Sequence, residues 1–175
     1  MPAATSPRTR EIFPIPDRTE TGYAINTDKE TTTTSVEVNT LLPSRPESSI
    51  GDYRQKTVDR LFSGMLNARF SELAQKPDAP FVFGFSGRGN FLGRTKDIAY
   101  LNALAKEGAI ENSMRALLTE SERVARFGFT ETELARQKAS VLRNYERLAL
   151  EKDNVQASAK AAEYIRNFLM GETLP

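Results

Sequence analysis

Apolar residues recur along this chain with two different periods, and the changes between them mark out its elements. From Thr32 to Leu42 the period is two: Val36, Val38 and Thr40 face one way, Ser35, Glu37 and Asn39 the other, as in a half-buried strand. The four consecutive threonines read as the β-branched start of that strand. Tyr23-Ala24-Ile25-Asn26 is a shorter strand candidate, with a polar turn at Asp28-Lys29-Glu30. A hairpin with one wet face is therefore predicted over Tyr23 to Leu42. The loop Pro43 to Ser49 ends in a capping signal, Ser49 with Asp52. A 3.6-residue period then takes over: Val58, Leu61, Phe62, Met65, Leu66, Phe70 and Leu73 form one stripe, and Pro77 blocks continuation. This predicts a spine helix of roughly 25 residues, about 37 Å long.

Phe81-Val82-Phe83-Gly84-Phe85 is a short apolar strand, and Asp97 to Lys106 a second. In the latter both faces are largely apolar, with Ile98, Tyr100 and Leu104 against Leu101, Ala103 and Ala105. That suits a central strand packed on two sides, although such a run also fits a helix. Between them lies Gly87-Arg88-Gly89-Asn90-Phe91-Leu92-Gly93. A dinucleotide fingerprint would need glycine where Leu92 stands and a helix afterwards, so this is read as a glycine-rich connection between strands. Helical spacing returns over Ala109–Phe127 (Ile110, Met114, Leu117, Leu118, Val124, Phe127), and again over Leu134, Val141, Leu142, Tyr145 and Leu148. The outer face of that third helix, Arg136, Lys138, Arg143 and Arg147, is basic, the usual pattern of a solvated surface. A last helix over Val155–Met170 is expected to bury Ala161, Ala162, Ile165, Phe168 and Leu169. The order β-β-α-β-β-α-α-α predicts an α+β fold, a mixed or antiparallel sheet with helices massed on one face. Residues 1 to 20 hold Pro2, Pro7, Pro14 and Pro16 and read as a linker or arm, with a single domain over 21–175.

The second and third helices meet with almost no loop. Gly128 suits the helix end, where a residue without Cβ is favoured. Thr130 caps the next helix, Glu133 reaches back to the Thr130 N–H, and Phe129 with Leu134 is placed to form a staple. This corner has a geometric job and no chemistry of its own.

Composition narrows the chemistry sharply. The chain carries 24 basic and 23 acidic residues, net +1, a balance that supports neither a nucleic-acid nor a membrane-surface role. No apolar run is long enough to span a bilayer. There is no Cys and no His among the 175 residues, which removes disulfides, thiolate or imidazole metal ligands, Cys nucleophiles and Ser-His-Asp triads. No catalytic residue and no metal ligand is assigned.

With the order of elements in hand, five motifs point to a family. Phe127-Gly128-Phe129-Thr130-x-x-Glu133-Leu134 resembles the Gly-Phe-Thr-x-x-Glu-Leu signature in non-catalytic domains of the pitrilysin/insulinase zinc metallopeptidases. Leu61-Phe62-x-x-Met65-Leu66-Asn67-x-Arg69-Phe70-x-Glu72-Leu73 is similar to their long helix, and Thr27-Asp28-x-Glu30 to the turn joining their opening strands. Leu117-Leu118-Thr119-Glu120-x-x-Arg123 and Glu163-Tyr164-Ile165-Arg166-x-Phe168-Leu169 resemble the helix before the corner and the last helix. The resemblance covers about residues 14 to 175 and implies a metallopeptidase-like α/β roll of the second, non-catalytic type, because the His-x-x-Glu-His zinc motif is absent.

Several expectations follow from the resemblance. This chain holds no cofactor, zinc belongs to a catalytic domain elsewhere in the same protein or in a partner subunit, and peptide or unfolded protein is the substrate; neither nucleic acid nor membrane is a partner. The alternative is an inactive binding or structural subunit of the same descent. Main-chain pairing to a sheet edge is tolerant of sequence, which makes Tyr23, Ile25, Val36 and Val38 the candidate peptide-pairing edge. Asn67 and Arg69 are candidates to line the peptide chamber, against the plainer reading that they satisfy caps or neighbouring backbone. Gly128, Thr130 and Glu133 form the structural corner. The residues do not set a compartment, and the resemblance leans to the periplasm, since bacterial relatives are often exported.

Overall fold

The computed structural model describes residues 11–91 and 94–171. The first ten residues of the arm, Leu92 and Gly93 of the glycine-rich stretch, and the last four residues lie outside them. Along the described residues run β1 (Thr34–Pro43), α1 (Ile50–Ala74), β2 (Phe81–Asn90), β3 (Lys96–Ala105), α2 (Ile110–Phe127), α3 (Glu131–Leu150), a 3-10 turn (Lys152–Asn154) and α4 (Ala157–Met170). The three strands form one antiparallel sheet in the order β1-β3-β2, so β1 and β2 are both edges. The α+β class and the antiparallel sheet are those the residue pattern predicts.

The long apolar run is settled as strand, and β3 is central as its two apolar faces require. Val36 and Gly84 stand opposite Ala103 from either side, and opposite residues share a face of the sheet. On that face α1 packs over β2, and α2 over β3 and β1. The core is Val36, Leu66, Phe70, Phe81, Ala103, Leu117 and Val124. Helices thus cover one face. The other carries Phe83, Phe85 and Tyr100, with the last two rings edge to face at 5.8 Å. A Cβ at residue 87 would lie 2.5 Å from the Tyr100 hydroxyl, so Gly87 is what lets that ring cross β2.

Four sequence-based details change. The glycine-rich stretch is mostly strand: β2 runs to Asn90, where Asn90 pairs with Asp97. Tyr23–Asn26 forms no strand, and Tyr23 and Ile25 are 90% and 89% exposed. Four residues supply few cross-strand pairs against the cost of ordering them. In α2 the buried line is Ser113, Leu117, Glu120 and Val124; Ile110, Met114 and Leu118 flank it half-exposed, and Phe127 is 81% exposed. The helix has a wider apolar face than the sheet can cover. Finally, α4 is capped by Gly171 as expected, but it lies off the sheet, and Ala161, Ile165 and Phe168 are exposed where burial was predicted.

At Ile15 and Asp17 the chain before β1 lies against the domain. The Ile15 N–H donates to Thr95 Oγ1 at 3.2 Å. Lys96, only 6% exposed, has its ammonium on the Asp17 carboxylate.

Candidate functional site

Of the two residues singled out from the sequence as chamber-lining, Arg69 forms one cluster with the corner and Asn67 does not. Asn67 and Arg69 both lie on α1. Asn67 is half-buried and faces β2, where its side-chain amide copies a strand partner. Its Nδ2 donates to the Ser86 carbonyl at 3.1 Å, while Oδ1 accepts from the Ser86 N–H at 2.6 Å and from the Ser86 hydroxyl at 3.0 Å. Ser86 is itself buried, so these bonds satisfy groups that water cannot reach.

Arg69 leaves α1 in the other direction, toward the α2–α3 corner. Its guanidinium forks onto Glu133, with Nε to Oε1 at 2.6 Å and Nη2 to Oε2 at 3.0 Å. Nη1 donates to Glu120 Oε1 at 3.0 Å and Nη2 to the Gly128 carbonyl at 3.2 Å. The charge also lies 5.0 Å from the centre of the Phe129 ring, a cation–π arrangement. Such a planar fork matches carboxylate geometry in a way lysine cannot. Arg69 therefore holds three helices and a loop carbonyl at one point.

The capping box of the corner is built as its residues predict, whereas Gly128 does not take the left-handed helical position expected of it. Gly128 has φ 68° and ψ −156°; this is outside the left-handed helical basin and in a region open essentially to glycine alone. Thr130 Oγ1 accepts from the Glu133 N–H at 3.3 Å, and Glu133 Oε2 accepts from the Thr130 N–H at 2.6 Å, the reciprocal capping box. Phe129 packs edge to face on Phe62 of α1 at 5.4 Å. Glu133 thus serves the cap and Arg69 together. The Arg69 bonds first, then those from Thr130, hold its carboxyl at a pKa of about 2 against an ordinary 4.5, while Glu133 in turn pushes the Arg69 pKa up. A Thr130→Ala variant is expected to lose about 1 kcal/mol of stability, read as a lower urea midpoint with an unchanged slope.

Sequence reasoning missed Glu120. It is 4% exposed, bonded to Arg69 and, through Oε2 at 2.9 Å, to Arg123. Its signal was present: a carboxylate at helical spacing between Leu117 and Val124, on the side that had to be buried.

The candidate peptide edge is divided by the structure. Val36 and Val38 lie on β1, with Val36 turned into the core; Tyr23 and Ile25 stand outside any strand and are not brought beside them. The basic residues Arg136, Lys138, Arg143 and Arg147 are exposed on α3. A groove of about 800 Å³ runs between the first turns of α1 and the far end of the β2–β3 hairpin. Its charges are largely paired within the fold, Arg45 with Asp59 at 2.6 Å, Arg88 with Asp97 at 2.9 Å, and Lys56 with Glu47. No convergent acid–base set appears there.

No family model matches the chain. Among curated proteins, a zinc protease PQQL-like of Arabidopsis thaliana is 24% identical over 170 residues, 97% of this chain and 15% of its own length. The crystal structure of the periplasmic protease PqqL from Escherichia coli superposes with a TM-score of 0.76 at 14% identity, over 85% of this chain and 16% of that one. A predicted insulinase family protease from Yersinia pestis gives 0.68 at 9% identity, over 83% of this chain and 31% of that one. The chain has the fold of an insulinase-family protease domain and is similar in sequence to a zinc protease. It spans about a sixth of the length of the curated protease it matches.

The residues of this chain do not fit a zinc site. With no His or Cys in the chain, carboxylates alone could ligate. Among the described residues no group of three or more potential ligands comes together. Glu120 and Glu133, the two acids nearest each other in the cluster, are both occupied by Arg69. Among the described residues no helix is long and apolar enough to cross a membrane.

Proposed function

We propose that this chain is a non-catalytic domain of a larger zinc metalloendopeptidase, packed beside a catalytic zinc domain and forming part of the wall of a peptide-binding chamber. The observation that carries this reading is the match of nearly the whole chain to a small part of a zinc protease, in a sequence that has neither His nor Cys. Residues 1–20 serve as the linker or arm and 21–175 as the domain. Asn67 and Arg69 contribute to the chamber as struts, since their polar atoms are spent inside the fold. The open edge of β1, around Val36 and Val38, is where an extended peptide would pair by its main chain. The periplasm is the compartment this reading favours, after the periplasmic protease of the same fold.

Metal analysis and a peptide-cleavage assay test it. The purified chain is expected to bind no stoichiometric zinc and to cleave no peptide, while the longer protein that contains it does both. One tight zinc on the isolated chain would overturn the proposal. A longer protein without a His-x-x-Glu-His motif would instead make the chain part of an inactive binding subunit.

A further inference from the structure

We propose that the groove between the first turns of α1 and the far end of the β2–β3 hairpin binds an extended acidic peptide segment, whose carboxylates are received by Arg60 and Arg94. Five cations (Arg45, Lys56, Arg60, Arg88 and Arg94) and four carboxylates line it. The carboxylates are spent within the fold. Asp59 accepts from Arg45 at 2.6 Å and from Gln55 at 3.1 Å, Asp97 accepts from Arg88, and Glu47 holds Lys56. Asp52 is occupied by the Ser48 and Ser49 N–H groups at the start of its own helix. Among the described residues, none of these acids forms an ion pair with Arg60 or Arg94. Two guanidinium groups are therefore left over in the groove.

Arg60 is held ready for such a partner. Its Nη1 donates to the Tyr145 hydroxyl at 3.0 Å, and the centre of the guanidinium lies 5.4 Å from the middle of that ring. Tyr145 in turn packs on Tyr53, with the ring centres 6.4 Å apart. The head group is thus fixed before a ligand arrives, which lowers the ordering cost of binding. Nε and Nη2 remain, the two donors that meet a carboxylate side by side. Arg94 stands exposed at the hairpin end of the same groove. Ile12 and Leu169 supply apolar wall, and Gln55, Ser63 and Asn90 supply polar groups for a peptide backbone. The charge pattern selects peptide over phosphate. A polyphosphate needs cations converging on one point, whereas these two arginines come from separate elements. Five cations against four carboxylates also leave an excess of only one positive charge. Carboxylates spaced along an extended chain match that pattern. Neither Val36 nor Val38 lines the groove, so the site is separate from the β1 edge. Its binding is a property of this chain, whether or not the longer protein holds zinc.

Fluorescence anisotropy of a labelled Glu-Leu-Glu-Leu peptide, titrated with the full chain at low ionic strength, tests the site. The acidic peptide is expected to bind at least about tenfold more tightly than Gln-Leu-Gln-Leu, and an equal concentration of inorganic pyrophosphate should not displace it. R60Q/R94Q should lose the preference. R136Q/R143Q removes the same charge from the exposed face of α3 and should keep it. R94Q alone should weaken the acidic peptide about threefold at an unchanged urea midpoint, which separates lost binding from lost folding. Equal binding of the two peptides would overturn the proposal, as would a preference that survives R60Q/R94Q or is lost equally in R136Q/R143Q. Displacement by pyrophosphate would overturn it too, because the groove would then be a phosphate site.

Discussion

A Phe70→Ala variant is expected to lose about 4 kcal/mol of stability, a fall in Tm of roughly 10 °C or more for a chain of this size. Phe70 is fully buried in the core cluster that joins Leu66 of its own helix, Phe81 and Ala103 of the sheet, and Leu117 and Val124 of α2. Removing its ring leaves a cavity that these rigid neighbours cannot collapse to fill. Phe62 belongs to the same apolar stripe of α1 but is 47% exposed and packs chiefly on Phe129. Phe62→Ala should cost only about 1 kcal/mol. Urea unfolding of the two variants side by side is the check. Equal losses would mean that the core is not centred where the structure puts it.

The second large effect is expected at the neighbouring residue. Arg69→Met should destabilise by about 3 kcal/mol, the usual cost of breaking a buried ion pair by removing one partner. The loss exceeds that of a surface pair because Glu120, with a side chain 5% exposed, keeps only Arg123, whose own side chain is 59% exposed. Arg69→Lys should recover little, since an ammonium cannot satisfy Glu133 bidentately and reach Glu120 and the Gly128 carbonyl as well. The pH dependence has a definite sign. The Glu133 carboxyl is held at about 2 in the folded chain against 4.5 ordinarily. A depressed carboxyl pKa stabilises the folded state fully above the ordinary value and progressively less as pH falls toward the folded one. The gap between wild type and Arg69→Met should therefore be widest above pH 4.5 and close between pH 4.5 and 2. A gap constant across that window would show that packing of the Arg69 stem, and not its charge, is what the substitution removes.

Much of the architecture was legible because it rests on local physics. The capping boxes at Ser49 and Thr130 involve residues three apart, and the period of α1 needs only its own side chains. The requirement for glycine at 128 follows from a single pair of dihedral angles. Each was readable along the chain. The edge-strand pair was different. Tyr23–Asn26 has the alternation of a strand, yet alternation states only a willingness to pair, and four residues do not say whether the pairs gained outweigh the cost of ordering them.

The sequence by itself determined the class of the fold, the capping of the corner between α2 and α3, and the absence of any imidazole or thiol, because composition, periodicity and capping act within a few residues. Only the tertiary structure decided that Asn67 is a false strand partner for Ser86, that Glu120 is buried, and that Arg69 joins α1 to both helices of the corner. Those contacts span 19, 51 and 64 residues of chain. A side chain's partners at such separations depend on how the helices cross the sheet, and the crossing is set by the packing of the whole core.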